Sequence, residues 1–430
     1  MNRVKELAKL SFPALLSSMP GFLAKFAVVP ILGRYSIEAM VAGSCAFAIF
    51  TLFDGALYAS FTGYRILGSK SAGTKNFQEA FTAGITFAML ISIIMMFLIF
   101  LFNNELIAFF GLNSNSGDTF ELCKFYMDMY LISYPLSAFC IIGNITLLLN
   151  KKIKILSIMS ICDGVFGFVI RVILVHKLVG AKGAGYAALI HNLLFALLYF
   201  FIIKKYVNGI VFKLHKNLKR ISVLSIPSMF AMICDHFGNS LIFSIIGNLL
   251  GQEAFVASRI IFSITIISFI IVMYISSGFN VLGGAELGKN NYKSFYSYYI
   301  ANGRLLFISA CILCCIILIF RSHILVAFTL FKEIRALAYT PVAIASLYVI
   351  FMAMYQNNSM YLKLVEKVKA DMVCNILSIW LIQIPISYYM GITLGMGLVG
   401  FAIGSVLYAA FRFLATYIIV RHHVMRHAIK

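Results

Sequence analysis

The sequence predicts an all-α polytopic membrane protein, with 12 transmembrane helices in two pseudo-symmetric six-helix lobes around a central cavity. The prediction depends on an apolar excess, on apolar runs of helix length and on an internal repeat. Of the 430 residues, 62% are hydrophobic and 12% are charged, and the mean hydropathy is +0.95. A soluble domain carries about 25% charged residues and could not bury this much apolar surface. Intrinsic disorder is excluded as well, because it requires low hydrophobicity.

Apolar runs long enough to span a bilayer, about 20 residues each, recur along the whole chain. They lie at 8–32, 39–68, 80–102, 122–149, 154–178, 183–204, 221–248, 254–284, 300–320, 335–362, 370–391 and 395–420. Such long continuous runs are not the short alternating strands of an outer-membrane barrel. We therefore expect an N-terminal lobe over 1–203, a basic cytoplasmic linker over 204–220 and a C-terminal lobe over 221–430.

The charge distribution predicts how the chain sits in the membrane. A formal net charge of +20 on a soluble protein would suggest a nucleic-acid partner. Here most Lys and Arg fall in loops on one side of the predicted helices, and that side is cytoplasmic by the positive-inside rule. We expect a multi-pass protein of the cell membrane with both termini in the cytoplasm. Its partner is then the lipid bilayer and not nucleic acid, and we expect it to function as a monomer.

The sequence aligns with itself when it is shifted by half its length. The stretch FTGYRILGSKSAGTKNF (61–77) falls on SSGFNVLGGAELGKNNY (276–292), and Gly63 meets Gly278. Because each half has an even number of predicted helices, both halves begin on the same side of the membrane and the repeat is parallel. Two such bundles facing a cavity are typical of alternating-access transporters.

Several duplicated motifs carry a family resemblance. Each half has an early proline in its first helix, Pro13 and then the Pro227 that opens PSMFAMICD (227–235). WLIQIP (380–385) precedes GMGLVGF (395–401). In this order the motifs resemble those of the multidrug and toxic compound extrusion (MATE) family, of which the chain looks like a divergent member over nearly its whole length. The resemblance implies an antiporter that exports amphiphilic organic compounds, typically cationic drugs or metabolites, in exchange for H+ or Na+.

The sequence departs from that family at three of its acidic positions. The first-helix acid of many members aligns with Val28, the tenth-helix acid falls near Met352, and the fifth-helix acid falls near Arg171, a reversed charge. The seventh-helix acid is present as Asp235. An anionic or zwitterionic substrate is therefore an alternative to a cationic one.

Three acids inside predicted spans are the candidate ion-coupling residues, because an ionisable group in a bilayer is costly unless it is paired or hydrated. They are Asp235, Asp54 and Asp163. Asp235 could instead be structural and held by neighbouring hydroxyls or by His236.

Lys25 and Arg171 are the expected charge partners in the N-terminal half. Pairing of Asp54 with Lys25, or of Asp163 with Arg171, is the alternative to ion coupling by these two acids. Buried bases beside buried acids most often neutralise one another, so this alternative stays open.

Candidate substrate-binding residues combine aromatic rings and Met, which repack around varied ligands, with amide groups. They are Tyr348, Met352, Tyr355, Asn144 and Asn239. The alternative for them is core packing or contact with lipid.

Two other functions compete with antiport. A flippase for a lipid-linked saccharide would share the fold and use a cationic cavity, for which the sequence offers Lys25, Arg65, Arg171 and Arg304. A membrane-embedded enzyme is less favoured, because HExxH and GxSxG are lacking. We expect no catalytic residue, no metal site and no cofactor, and only a small-molecule substrate and a coupling cation as ligands.

Overall fold

The structure is a computed structural model that describes residues 3–13, 15, 28–33, 35–74, 76–109, 112, 117–212, 217–328 and 332–428. Within these residues all regular structure is helical, which confirms the all-α prediction. Ten of the described helices are long and apolar enough to cross a membrane. The chain is therefore a multi-pass membrane protein.

The number of twelve spans stays a prediction. Of the first predicted span, 8–32, residues 16–27 lie outside the described residues. The second predicted span, 39–68, is covered by two helices that meet at Phe61, and neither belongs to the ten.

The helices of the first half follow the predicted spans closely. Their bounds are α1 (3–13), α2 (Val28–Gly33), α3 (Ile37–Ser60), α4 (Thr62–Ser71), α5 (Phe77–Leu101), α6 (Asn103–Phe109), α7 (Asp118–Leu149), α8 (Ile153–Ile173) and α9 (Gly183–Ile203). A π-helical turn at Leu174–Leu178 and a short 3₁₀ turn at Gly180–Lys182 connect α8 to α9.

The helices of the second half are on average longer than predicted. Their bounds are α10 (Asn217–Leu250), α11 (Gln252–Gly288), α12 (Tyr292–Phe328), α13 (Lys332–Leu364), α14 (Val368–Leu377), α15 (Ile384–Tyr388) and α16 (Leu398–Ala428), with π-helical turns at Ser378–Gln383 and Tyr389–Thr393. Helix α12 extends well beyond the predicted 300–320, because helical hydrogen bonding continues through polar residues that end an apolar run. Helix α10 begins within the predicted linker 204–220.

Local sequence explains several helix ends and interruptions. Ser36 caps α3 by accepting a hydrogen bond from the Ala39 N–H at 3.1 Å, as N-cap serines do. Gly251 separates α10 from α11 at φ +89, a conformation that L side chains rarely adopt. Pro227 lies inside α10, where it removes one backbone hydrogen bond.

Two compact units make up the chain. The N-terminal unit is Pro13–Met229, and the C-terminal unit is Met1–Phe12 together with Phe230–Lys430. The first twelve residues of the chain thus belong to the C-terminal unit, and the first part of α10, up to Met229, belongs to the N-terminal unit. The lobe boundaries drawn at 203/204 and 220/221, and the arrangement of lobes around a cavity, stay predictions.

The same serine–glycine contact occurs in both units. In the N-terminal unit the Gly63 N–H donates to Ser225 Oγ at 3.0 Å. In the C-terminal unit the Gly278 N–H donates to Ser11 Oγ at 3.2 Å. The two glycines are equivalent positions of the internal repeat, so the repeat preserves a helix-docking contact.

Candidate ion-coupling site

Asp235 lies deep within its helix and contacts α16. It is 15 residues from the end of α10 at Leu250, which corresponds to about 22 Å along the helix axis. Its Oδ1 accepts a hydrogen bond from the Tyr408 hydroxyl at 2.9 Å and lies 3.6 Å from Arg412 Nη1. The Asp235 side chain remains 23% exposed, so the carboxylate is paired and yet accessible.

Arg412 is the buried cation of this site, with a side chain that is 6% exposed. Its Nη1 donates to the Tyr408 hydroxyl, and its Nη2 donates to the Tyr355 hydroxyl at 2.9 Å. The guanidinium carbon also lies 3.9 Å from the centroid of the Tyr355 ring and 5.5 Å from that of Tyr408. Hydrogen bonds and cation–π contacts therefore hold this charge inside the unit.

A second carboxylate, Asp371 on α14, lies on the other side of Tyr355. Its Oδ1 accepts from the Tyr355 hydroxyl at 3.2 Å, and its Oδ2 accepts from Ser359 Oγ at 2.9 Å. Lys363 Nζ lies 3.4 Å from the same Oδ2. Tyr355, Ser359 and Lys363 are successive turns of one face of α13, so a single helix supplies every one of these contacts.

These groups form one connected set, which we call the Arg412 cluster. It consists of two carboxylates, two cations and two bridging phenols: Asp235, Asp371, Arg412, Lys363, Tyr408 and Tyr355. Each phenol accepts a hydrogen bond from the guanidinium and donates one to a carboxylate, so its dipole stabilises both charges. The cluster is formally neutral, which is the condition under which buried charges are tolerated.

Sequence reasoning found Asp235 but not the rest of its charged environment. Arg412 lies in the predicted span 395–420, and the rule that singles out acids within spans applies equally to it. Lys363 falls between the predicted spans 335–362 and 370–391, and Asp371 falls at the beginning of the second. Only the packing of α13, α14 and α16 brings these side chains to Asp235.

The predicted substrate-binding residues of the C-terminal half lie in or next to this cluster. Met352 and Tyr355 belong to a buried core, and the Tyr348 ring stacks on Tyr408 with centroids 6.4 Å apart. Asn239 Nδ2 donates to the backbone carbonyl of Asp235 at 2.8 Å. Burial of Met352 and Tyr355 is what core packing, the alternative to substrate binding, would require. A role in substrate binding stays a prediction for all these residues.

In the N-terminal unit, Asp163 on α8 pairs with His191 on α9. Asp163 Oδ1 lies 3.0 Å from His191 Nε2, and the carboxylate side chain is 33% exposed. The imidazole stacks on Phe166 and lies 5.0 Å from the Phe195 ring. Asp163 lies on the same side of α8 as the buried residues Ser160 and Gly167.

The remaining predicted residues of this unit lie in separate places. Arg171 is buried and its Nη1 donates to the Gly167 carbonyl on its own helix at 3.2 Å. Asn144 on α7 lies near the Tyr199 phenol of α9. Asp54 is half-buried on α3 and interacts with surrounding groups. Lys25 lies outside the described residues, as does its pairing with Asp54.

The Asp163–His191 contact predicts a stability change. Replacing His191 with leucine removes the nearest hydrogen-bonding group from a half-buried carboxylate, and we expect the free energy of unfolding to fall by about 1–3 kcal/mol. Thermal unfolding of the purified protein in detergent measures this. His323→Leu, at an exposed position near the end of α12, is the matched control. Equal effects of the two substitutions would mean that the contact with Asp163 contributes nothing.

The fold and the site together define a multi-pass α-helical membrane protein that holds paired charges inside its spans. The family model described as MatE matches residues 13–173 and 227–389, most of the chain. The chain therefore belongs to the MATE family of transporters. No protein of curated function matches its sequence significantly.

Solved structures of MATE transporters share the fold. A Vibrio cholerae MATE transporter matches with a TM-score of 0.90 at 12% identity, covering 99% of this chain and 98% of that one. A multidrug resistance MATE family transporter in an outward-facing conformation matches with a TM-score of 0.88 at 16% identity, covering 100% and 97%. A MOP superfamily transporter from Pyrococcus furiosus matches with a TM-score of 0.85 at 17% identity, covering 97% and 96%.

Proposed function

We propose that this chain is a secondary antiporter that exports amphiphilic organic compounds, preferentially cations, in exchange for H+ or Na+, with Asp235 as the coupling carboxylate. The observation that carries the proposal is the accessible Asp235 carboxylate tied through Tyr408 to the buried Arg412. Asp54 and Asp163 are further candidates for ion coupling in the other half of the chain.

Antiport results when the binding of one transported species disfavours the binding of the other, and competition for a shared group is the simplest way to achieve this. A proton on Asp235 removes the negative charge that both Arg412 and a cationic substrate would pair with. Conversely, a substrate ammonium beside Asp235 stabilises the ionised carboxylate and disfavours protonation. One carboxylate is therefore sufficient to make proton and cation binding mutually exclusive.

The same pairing connects ion binding to helix movement. Asp235 belongs to α10, whereas Tyr408 and Arg412 belong to α16. Neutralising Asp235 weakens the electrostatic tie between the two helices. Occupancy of the carboxylate thus biases how α10 and α16 pack, which is what a two-state transporter needs. The loop charges support a cell-membrane location with both termini cytoplasmic, and we propose that the chain acts as a monomer.

Transport of an anionic amphiphile, such as a lipid-linked saccharide, is the second candidate. It is favoured by Arg171, a buried base at a position where the family resemblance places an acid. The Pyrococcus furiosus relative is described as having a binding pocket of reverse polarity that suggests a different function. An anionic substrate would bind Arg171 and be indifferent to loss of the Asp235 charge.

Reconstituted vesicles test the proposal. Purified protein is reconstituted into liposomes, and the liposomes are loaded with a fluorescent organic cation. Efflux of this cation is followed after a pH gradient or a Na+ gradient is imposed. We expect gradient-dependent efflux from the wild type and a reduction of at least about tenfold for Asp235→Asn. Asp235→Glu retains a titratable group and should keep part of the activity.

The matched control is Asp128→Asn, the same change at a partly buried carboxylate on α7 that contacts Asn103. This variant should transport like the wild type. Unchanged gradient dependence in Asp235→Asn would refute Asp235 as the coupling residue. Gradient-independent export of a lipid-linked saccharide, with no movement of the cation, would favour the second candidate.

A further inference from the structure

We propose that Arg412 is a tethered counter-ion that occupies the cation position between Asp235 and Asp371, so that this site can take up a proton but excludes Na+. The part of the inference that names H+ as the coupling ion rests on the proposed function. The occupancy of the site by Arg412 can be tested without transport.

The oxygen atoms around Arg412 are those that a hard monovalent cation would use. Alkali and alkaline-earth ions bind carboxylate, hydroxyl and carbonyl oxygens. The guanidinium lies between two carboxylates and contacts both phenolic oxygens that bridge to them, those of Tyr408 and Tyr355. A metal ion at this place would have to displace the guanidinium from its own hydrogen-bond acceptors.

Charge balance disfavours any added cation while Arg412 is charged. A proton and Na+ carry the same charge, so the difference between the two ions rests on coordination. With Arg412 and Lys363 cationic and both carboxylates ionised, the cluster is neutral, and an added Na+ would leave a net positive charge next to a buried guanidinium. Like charges a few ångströms apart repel strongly where water is scarce. Removing the Arg412 charge would leave the same oxygens with a net charge of −1, which favours a cation.

A proton differs from Na+ because it needs no coordination sphere. It adds directly to a carboxylate oxygen, and the Asp235 side chain, 23% exposed, is not sealed off by its partners. The guanidinium then keeps its bonds to the two phenols and its proximity to Asp371. The arrangement is therefore compatible with proton uptake at Asp235 while the cation position remains filled.

Equilibrium binding of radioactive Na+ to purified protein in detergent tests the inference. Choline chloride replaces NaCl so that the ionic strength is constant. We expect no saturable Na+ binding that depends on Asp235 in the wild type or in Arg412→Lys, which keeps the charge. Arg412→Gln should gain a Na+ site with an affinity at least about tenfold above any in the wild type, and that site should vanish in the double variant Arg412→Gln/Asp235→Asn.

The matched control is Arg259→Gln, because Arg259 is an arginine that lies over an aromatic ring, 4.8 Å from the Phe243 centroid. It should gain no Na+ site. A Na+-specific rise in the thermal unfolding midpoint of Arg412→Gln provides a second measure of the new site. If Arg412→Gln folds only when Na+ is present, the inference is supported.

Two results would overturn the inference. One is saturable Na+ binding by the wild type that Asp235→Asn abolishes, a measurement that requires no Arg412 variant to fold. The other is a folded Arg412→Gln without any Na+-specific response. Refutation of the proposed function is a separate outcome. It would be seen as unchanged coupled efflux in Asp235→Asn, and it would not alter the result of the Na+ binding measurement.

Discussion

Replacement of Arg412 by methionine is expected to lower the free energy of unfolding by about 3–5 kcal/mol, because it removes the counter-ion of the partly buried Asp235 carboxylate and the guanidinium donor of both phenols. The buried Arg412 side chain is the only group of the cluster that contacts both bridging phenols. Methionine preserves most of the side-chain volume, so the loss reports on charge and hydrogen bonds and not on a cavity. Unfolding by SDS in mixed micelles measures the change.

The double variant Asp235→Asn/Arg412→Met separates charge imbalance from packing. If the loss comes from an unpaired carboxylate, removing that carboxylate should restore part of the stability, so the double variant should be more stable than Arg412→Met alone. Arg412→Lys should lose less, because it retains the charge but not the forked donor geometry. Additive losses in the double variant would contradict a direct Asp235–Arg412 interaction.

Substituting alanine for Gly63 is expected to destabilise the N-terminal unit by about 1–3 kcal/mol or more through overpacking. A Cβ at this position would lie 2.6 Å from the Ile221 carbonyl oxygen and 2.8 Å from the Ile221 Cα. Both obstacles are backbone atoms, so the helices themselves must separate.

Gly278→Ala, at the equivalent position of the repeat, should cost less. Its Cβ would lie 2.4 Å from Ser11 Oγ, and a serine side chain can rotate away at the cost of the hydrogen bond from Gly278. Gly247→Ala is the matched control, because its nearest neighbour is a Phe255 ring carbon at 3.3 Å and alanine improves helix propensity by about 1 kcal/mol. Thermal unfolding of the three variants should therefore rank Gly63→Ala lowest. Wild-type stability in Gly63→Ala would show that the helices do not approach so closely.

The positions of the spans could be predicted because the bilayer imposes a length and a composition on each helix. The predicted runs at 122–149 and 183–204 differ from α7 and α9 by only a few residues. Prediction was less accurate for α12, where helical structure continues past the apolar run. Residues such as Tyr292 and Phe328 are helical because the backbone must satisfy its hydrogen bonds, and hydropathy does not report that.

Part of the candidate site could also be predicted. Asp235 stands out because a carboxylate within a span needs a reason to be there. Its partners could not be identified, since Tyr408 and Arg412 are separated from it by more than 170 residues. In the N-terminal unit the sequence suggested Arg171 as the partner of Asp163, whereas the structure places His191 against that carboxylate.

The sequence by itself determined that this chain is a helical membrane protein with an internal repeat and a MATE-family pattern. Composition, run length and duplicated glycines are local properties, and each is readable without knowing which helices touch. Only the tertiary structure decided which charges meet. Packing of α10, α13, α14 and α16 brings two carboxylates to one guanidinium, because the contact between helices depends on the faces they present and not on their hydropathy. The physical consequence is that Asp235, which is visible in the sequence as a charge within a span, pairs with Arg412 of α16, far away along the chain.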